Sequence, residues 1–134
     1  MARDTLVQVN IEADIFVARR AARAIAVDLD FSHLELTMIA TAISEIARNM
    51  IVYGKGGQMR FETVPHSSRK GIRVIARDWG PGIADLDRAM DDGYTTGKGL
   101  GLGLPGARRL MDEFELESTV GVGTTVTMTK WRRG

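Results

Sequence analysis

The sequence contains no cysteine, which excludes disulfide bonds, a thiolate nucleophile and cysteine-ligated metal centres. It has no apolar run that approaches the roughly 20 residues needed to cross a bilayer, and its first residues are too polar for a secretory signal. The formal net charge of +1 is too near neutral to favour nucleic acid or an anionic membrane as a partner. We therefore expect a cytoplasmic protein that binds neither nucleic acid nor membrane.

What the sequence does contain is the composition of an ordinary folded domain. Hydrophobic residues make up 44% and charged residues 26% of the chain, which argues against disorder. A length of 134 residues suits one hydrophobic core, and no repeat or linker divides the chain. We expect a single domain over residues 1–134.

Helical periodicity predicts three helices. The first spans residues 14–29, with its leading aspartate as the N-cap. Ser32 and Glu35 form a capping box for a second helix that reaches about residue 53. The third begins near Pro105 and runs to about residue 112. The residues predicted to be buried in the first two helices are Ile15, Ala18, Ala22, Ile25, Ala26, Ile39, Ile43, Ile46 and Met50.

Alternating apolar and polar residues predict about five strands, over residues 6–11, 58–64, 72–78, 114–119 and 124–131. The polar stretch 66–71 is expected to be the loop of a hairpin, 85–90 a single helical turn, and the glycine-rich stretch 91–103 a loop. These elements predict an α+β fold. It is a two-layer α/β sandwich, in which a mixed, mostly antiparallel sheet carries about three helices on one face.

Glu45 and Asn49 are four residues apart in the second helix, so their side chains lie one turn apart on the same face. They flank the apolar stripe, where a carboxylate and an amide would border a pocket. A carboxylate there is suited to act as a general base, and an amide oxygen is a ligand that Mg²⁺ accepts. A solvated Glu and Asn on a helix edge is the alternative.

The segment Asp78-Trp79-Gly80-Pro81-Gly82 follows a predicted strand. An aspartate at a strand end can accept a hydrogen bond from an exocyclic amine such as that of adenine, and the glycines allow the backbone to approach a flat ring. The alternative is a plain turn, because Asp, Gly and Pro favour turns.

The segment 97–104, Gly-Lys-Gly-Leu-Gly-Leu-Gly-Leu, runs into the third helix. Its backbone N–H groups and the helix N-terminus favour an anion, so it is a candidate phosphate loop, with a flexible loop as the alternative. Gly101, Gly103 and Gly106 match the dinucleotide-binding pattern, but no strand directly precedes them. Lys98 lacks the following Ser or Thr of a Walker A motif.

The order of these motifs along the chain is more specific than any one of them. Glu45-x-x-x-Asn49, Asp78-x-Gly80-x-Gly82, the 97–103 loop and a final Gly-Thr at 123–124 resemble the N, G1 and G2 boxes and the terminal Gly-Thr of the GHKL ATPases and kinases. The resemblance covers essentially the whole chain. It implies the Bergerat ATP-binding fold and the cofactors ATP and Mg²⁺.

The resemblance also implies roles for individual residues. Glu45 matches the general base, Asn49 the Mg²⁺ ligand, and Asp78 the carboxylate that recognises adenine. Thr124 matches a hydroxyl that shares a water with adenine and Asp78. Lys98 is our own assignment to the γ-phosphate. The other residues assigned to the nucleotide site are Gly80, Gly82, Ile83, Gly99, Leu100, Gly101, Leu102 and Gly103. Tyr53 departs from the pattern, because many relatives carry His at this position.

Segments 42–49 and 101–114 look very similar to the switch kinases of the bacterial stressosome. That resemblance implies a serine/threonine-protein kinase that phosphorylates STAS-domain scaffold proteins, then leaves them to bind and activate a PP2C-type phosphatase. The alternative is a binding module of the anti-sigma-factor type, which shares the fold and sequesters a sigma factor or its antagonist without catalysis.

Overall fold

In a computed structural model, which describes residues 4–85, 90 and 104–132, five strands form one sheet and three helices lie on one of its faces. The helices are α1 (Ala13–Asp28), α2 (His33–Val52) and α3 (Leu104–Leu110). The strands are β1 (Asp4–Val9), β2 (Gly57–His66), β3 (Arg69–Asp78), β4 (Glu113–Thr119) and β5 (Gly123–Trp131). The predicted α+β two-layer sandwich is confirmed. None of the helices in these ranges has the length and apolar character to cross a membrane.

The sheet has the strand order β1-β2-β3-β5-β4, and all four pairings are antiparallel rather than mixed. Side chains alternate between its two faces, so Val7 and Val9 are buried while Leu6 and Gln8 are exposed. The buried face packs on the helices in a single hydrophobic core. The opposite face carries charged and hydroxyl side chains.

Both long helices bury the predicted residues. In α1 these are Ile15, Ala18, Ala22, Ile25 and Ala26, and in α2 the predicted set is joined by Ala42 and Ala47. The capping box of α2 is present, because Glu35 N–H donates to Ser32 Oγ at 3.1 Å and Ser32 N–H donates to Glu35 Oε1 at 2.9 Å. This pairing satisfies two backbone groups and fixes where α2 begins.

The predicted N-cap of α1 is wrong. Glu12 occupies that position without a side-chain bond, and Asp14 lies inside the first turn. Its carboxylate accepts the backbone N–H of Asn10 at 2.9 Å and of Ile11 at 3.0 Å, and these two bonds lower the pKa of Asp14. The Asp14 side chain therefore stabilises the connection between β1 and α1.

Two strand predictions also differ from the structure. The first strand ends at Val9, and Ile11 is 62% exposed beyond it. The predicted hairpin loop 66–71 is a two-residue turn at Ser67 and Ser68, since His66 pairs with Arg69. Ser67 has a positive φ of 54°, which lets the chain reverse there. The polar residues around this turn belong to the strands rather than to a loop.

Helix α3 is fastened to the sheet at its C-terminal end. Lys130 in β5 is buried, and its Nζ donates to the carbonyl of Leu110 at 2.8 Å. A cation at a helix C-terminus satisfies a free carbonyl and interacts favourably with the helix dipole. The other end of α3, Leu104, faces the site described next.

Candidate nucleotide site

A cavity of about 200 Å³ lies between the C-terminal half of α2 and the ends of β3 and β5. Its apolar wall is formed by Ile46, Met50, Ala76, Ile83, Leu104 and Val126. Its polar side chains are Asn49, Tyr53, Asp78 and Thr124. An apolar pocket with a few converging polar groups is the usual composition of a small-molecule site.

The Asp78 carboxylate is the polar centre of this cavity. Its Oδ1 accepts the backbone N–H of Gly80 at 3.0 Å and of Thr124 at 3.2 Å. Within the described ranges, no hydrogen bond to Oδ2 is found. Burial raises the pKa of Asp78 above its ordinary value, and the bonds from Gly80 and Thr124 oppose that rise. One oxygen therefore fixes the side chain, and the other is left to accept a hydrogen bond from a ligand.

Close backbone packing holds Asp78 in place. A Cβ on Gly80 would lie 2.6 Å from Gly54 Cα, and a Cβ on Gly54 would lie 2.5 Å from the Asp78 carboxylate. The end of α2 and the segment after β3 therefore touch without side chains between them. Gly82 has a φ of +80°, and a Cβ there would lie 2.5 Å from the carbonyl oxygen of Thr119. The two glycines of the Asp78 motif are thus both required by the local geometry.

A hydroxyl network supports the same wall from β4. Ser118 Oγ accepts the backbone N–H of Ile83 at 2.7 Å and lies 2.8 Å from Thr124 Oγ1. It also donates to the carbonyl of Gly123 at 3.1 Å. Sequence reasoning missed Ser118, because this serine belongs to none of the motifs. Only the pairing of Ser118 with Thr124 across the β4–β5 ladder reveals it.

Glu45 and Asn49 occupy different positions relative to the cavity. Asn49 lines it, and the carbonyl of Asn49 accepts the N–H groups of Tyr53 at 2.9 Å and Gly54 at 3.1 Å at the end of α2. Glu45 lies one turn earlier and is not part of the wall. Its side chain is 40% exposed and lies 3.6 Å from Arg48.

The structure brings together most of the predicted residues that it describes. Asn49, Asp78, Gly82, Ile83 and Thr124 line one cavity, and Gly80 contacts Asp78 through its backbone. The backbone N–H of Thr124 supports Asp78, whereas its hydroxyl pairs with Ser118. The predicted phosphate-loop residues Lys98, Gly99, Leu100, Gly101, Leu102 and Gly103 lie outside the described residues.

Comparisons with known proteins name the family of this domain. A profile of the histidine kinase-like ATPase domain matches residues 11–130, and the chain belongs to that family. The chain is 45% identical to the serine/threonine-protein kinase RsbT of Bacillus subtilis (strain 168), over 99% of this chain and 100% of that protein. It is 36% identical to the anti-sigma F factor of Thermoanaerobacter sp. (strain X514), over 85% of this chain and 82% of that protein.

A solved structure shows the same fold. The crystal structure of the RsbU and RsbW domains of Rv1364c from Mycobacterium tuberculosis superposes with a TM-score of 0.66 at 20% identity. The match covers all of this chain and 33% of that longer one. The predicted membership of the GHKL ATPases and the predicted likeness to their serine/threonine-protein kinases are confirmed by these comparisons.

Proposed function

We propose that this chain is a serine/threonine-protein kinase that transfers the γ-phosphate of Mg-ATP to a hydroxyl group of a partner protein. The observation that carries the proposal is the convergence of Asn49, Asp78 and Thr124 on one cavity. These residues come from three motifs that are far apart in the sequence. The full-length likeness to a serine/threonine-protein kinase supports the reaction.

We assign adenine to the part of the cavity beside Asp78. Asp78 Oδ1 is occupied by two backbone N–H groups, so Oδ2 is the oxygen that would accept the exocyclic amine. The apolar side chains of Ile83 and Val126 would contact the faces of the ring. A ring that can both donate to a fixed carboxylate and pack between apolar groups is the ligand this geometry selects.

Asn49 would hold Mg²⁺ together with the phosphates. Mg²⁺ usually takes one or two protein oxygens and completes its shell with waters and substrate phosphates, so one amide on the wall fits it. When bound, the metal neutralises charge on the transferring phosphoryl group. Lys98 and the glycines of 99–103 remain our assignment for the phosphates.

Glu45 would take the proton from the acceptor hydroxyl. It lies on the same face of α2 as Asn49 and one turn away, outside the cavity wall. The side chain of Glu45 is 40% exposed and that of its ion-pair partner Arg48 is 55% exposed. Exposed ion pairs of this kind contribute little stability. The carboxylate is therefore available to an incoming hydroxyl.

We assign the acceptor to the STAS-domain scaffold proteins of a cytoplasmic stress-signalling pathway, and the later partner to a PP2C-type phosphatase. The likeness to RsbT supports this assignment. A non-catalytic anti-sigma-type module is the second candidate, because a 36% identical relative is an anti-sigma F factor. The two candidates share the nucleotide site and differ in whether phosphate is transferred.

The test is the transfer of labelled γ-phosphate from Mg-ATP to a purified STAS-domain protein. The variant Glu45→Ala should bind ATP as the parent does and lose about 10²- to 10⁴-fold in transfer rate, the usual contribution of a general base. The matched control is Glu115→Ala, an exposed glutamate on the far face of the sheet, which should transfer normally.

Label that appears on a Ser or Thr of the partner, and that is lost in Glu45→Ala but not in Glu115→Ala, would establish the kinase activity. A loss of ATP affinity in Glu45→Ala would instead make Glu45 a nucleotide-binding residue. A stable complex with a sigma factor and no labelled product would favour the anti-sigma reading.

A further inference from the structure

The hydroxyl group of Ser118 takes part in three hydrogen bonds behind the sheet wall of the nucleotide cavity. Its Oγ accepts the backbone N–H of Ile83 at 2.7 Å and donates to the carbonyl of Gly123 at 3.1 Å. It also lies 2.8 Å from Thr124 Oγ1. A serine hydroxyl has one proton to donate and two lone pairs that accept. The direction of the third bond therefore depends on how the first two use them.

Counting protons and lone pairs gives the direction of the bond between Ser118 and Thr124. The Gly123 carbonyl can only accept, so its bond uses the single proton of the Ser118 hydroxyl. The N–H of Ile83 occupies one lone pair of Ser118 Oγ. The second lone pair is left to accept the proton of the Thr124 hydroxyl, and all three bonds are then made. The reverse direction would take the Ser118 proton from Gly123 and leave only two bonds.

The Thr124 hydroxyl then has only lone pairs to offer a ligand. Thr124 lines the cavity, and its backbone N–H donates to Asp78 Oδ1, so this hydroxyl and the Asp78 carboxylate are neighbours. An ionised carboxylate also can only accept. Adenine carries an amine donor at C6, whereas guanine carries a carbonyl oxygen there. Two neighbouring acceptors therefore favour the amine and disfavour the carbonyl oxygen.

We propose that Ser118 is a positioning residue that turns the Thr124 proton away from the ligand and thereby selects adenine over purines with a carbonyl oxygen at C6. The inference rests on the proposed nucleotide site and deepens it by assigning the origin of base specificity. Ser118 is not among the described residues that line the cavity, so it acts through Thr124. A ligand that presents the wrong hydrogen-bonding group leaves polar groups of the site unpaired, and this is an effective basis for discrimination.

The test is Ser118→Ala, with titration calorimetry of ADP and of inosine diphosphate. Inosine diphosphate carries hypoxanthine, a purine with a carbonyl oxygen at C6, on the same ribose and phosphates. The ratio of the two affinities therefore reports on the edge of the base. Without Ser118, the Thr124 hydroxyl is free to turn and donate to that carbonyl. The preference for ADP should fall by about 3- to 10-fold, the range expected for one hydrogen bond.

The affinity ratio separates this role from a structural one. Ser118→Ala also removes the bonds to Ile83 and Gly123, and a general loosening of the wall should weaken both nucleotides by the same factor. Ser118→Thr keeps the hydroxyl and should restore the ratio of the parent. Ser44→Ala is the matched control, because the Ser44 hydroxyl donates to the Ala40 carbonyl at 2.9 Å within α2. It should leave the ratio unchanged.

Thr124→Val provides a second, independent variant. It removes the hydroxyl that Ser118 orients and leaves the bonds of Ser118 to Ile83 and Gly123 available. The preference for ADP should fall by a similar factor. Adding Ser118→Ala to Thr124→Val should lower the ratio no further, because the two residues act as one unit. Thr124→Val also decides the question where Ser118→Ala fails to fold.

A ratio in Ser118→Ala equal to that of the parent would overturn the proposal, even where both affinities fall. An unchanged ratio in Thr124→Val would overturn it as well, and so would a further fall in the double variant, because Ser118 would then act by another route. Failure of the parent to bind either nucleotide would instead refute the proposed function, and this result is distinct from the other three.

Discussion

At the scale of single residues, the two oxygens of the Asp78 carboxylate have different roles in our account, one in folding and one in ligand binding. Oδ1 holds the backbone of Gly80 and Thr124, and Oδ2 is the oxygen that we assign to the ligand. Burial raises the pKa of this group, because the charged form loses hydration that the two backbone bonds only partly replace. The proposed role of Asp78 in nucleotide recognition therefore comes at the expense of the stability of the unliganded protein.

The raised pKa of Asp78 predicts that the effect of Asp78→Asn on stability depends on pH. Because the pKa of Asp78 is raised in the folded state, the folded protein binds this proton more tightly than the unfolded chain. The stabilisation is present below the ordinary aspartate pKa and is lost as pH rises through the raised value. The melting temperature of Asp78→Asn minus that of the parent should therefore increase as pH rises from the ordinary aspartate pKa through the raised pKa of Asp78.

Asparagine suits this comparison because its side-chain oxygen can keep both backbone bonds while the charge is removed. Thermal unfolding of both proteins without nucleotide, at matched ionic strength, gives the difference directly. A difference that is constant with pH, or that decreases as pH rises, would show that Asp78 does not carry a raised pKa.

Among the site residues, those that belong to a motif could be predicted, and those that act through folding could not. Asn49, Asp78 and Thr124 were identified from the order of the motifs and share one cavity. Ser118 contributes through a strand pairing that no spacing in the sequence reveals. Tyr53 was noticed only as a departure, because burial of its hydroxyl depends on the packing around the end of α2.

At the scale of elements, the site depends on how closely the end of α2 approaches the segment after β3. Gly54 and Gly80 meet backbone to backbone, and Trp79 N–H reaches the carbonyl of Gly56 at 3.4 Å. This contact sets the distance between Asn49 on the helix and Asp78 on the sheet. Any side chain inserted there would separate the two halves of the site.

Gly80→Ala should therefore destabilise the protein by about 1–3 kcal/mol, the usual cost of overpacking, and weaken nucleotide binding. Gly106→Ala is the matched control, because a Cβ at that position of α3 meets nothing within 4 Å. It should stabilise the protein by about 0.5–1 kcal/mol through helix propensity. Urea unfolding measures both, and similar stabilities of the two variants would contradict the packing argument.

Elements with a strong repeating pattern were predicted well, and their connections less well. The apolar stripes and the Ser32–Glu35 capping box fixed both long helices. Asp14 was misassigned because an aspartate near a helix start can accept backbone N–H groups on either side, and here it takes those before the helix. The polar ends of β2 and β3 resembled a loop because they extend beyond the core.

At the scale of the whole molecule, the two layers form the site between them. All three helices cover one face of the antiparallel sheet, and the cavity opens where α2 passes over the ends of β3 and β5. The helix layer supplies the groups assigned to metal and proton transfer, and the sheet supplies the group assigned to adenine. The proposed site needs groups from both layers, so nucleotide binding should report on the intact fold.

The most direct test of the account is calorimetric titration of Mg-ATP into the parent and Asp78→Asn at neutral pH. The account predicts one nucleotide per parent chain and an affinity at least about 10-fold weaker for the variant, because an amide N–H would replace the accepting oxygen and face the adenine amine. Equal affinity in the two proteins, or no binding to the parent, would contradict the claim that this cavity is an ATP site.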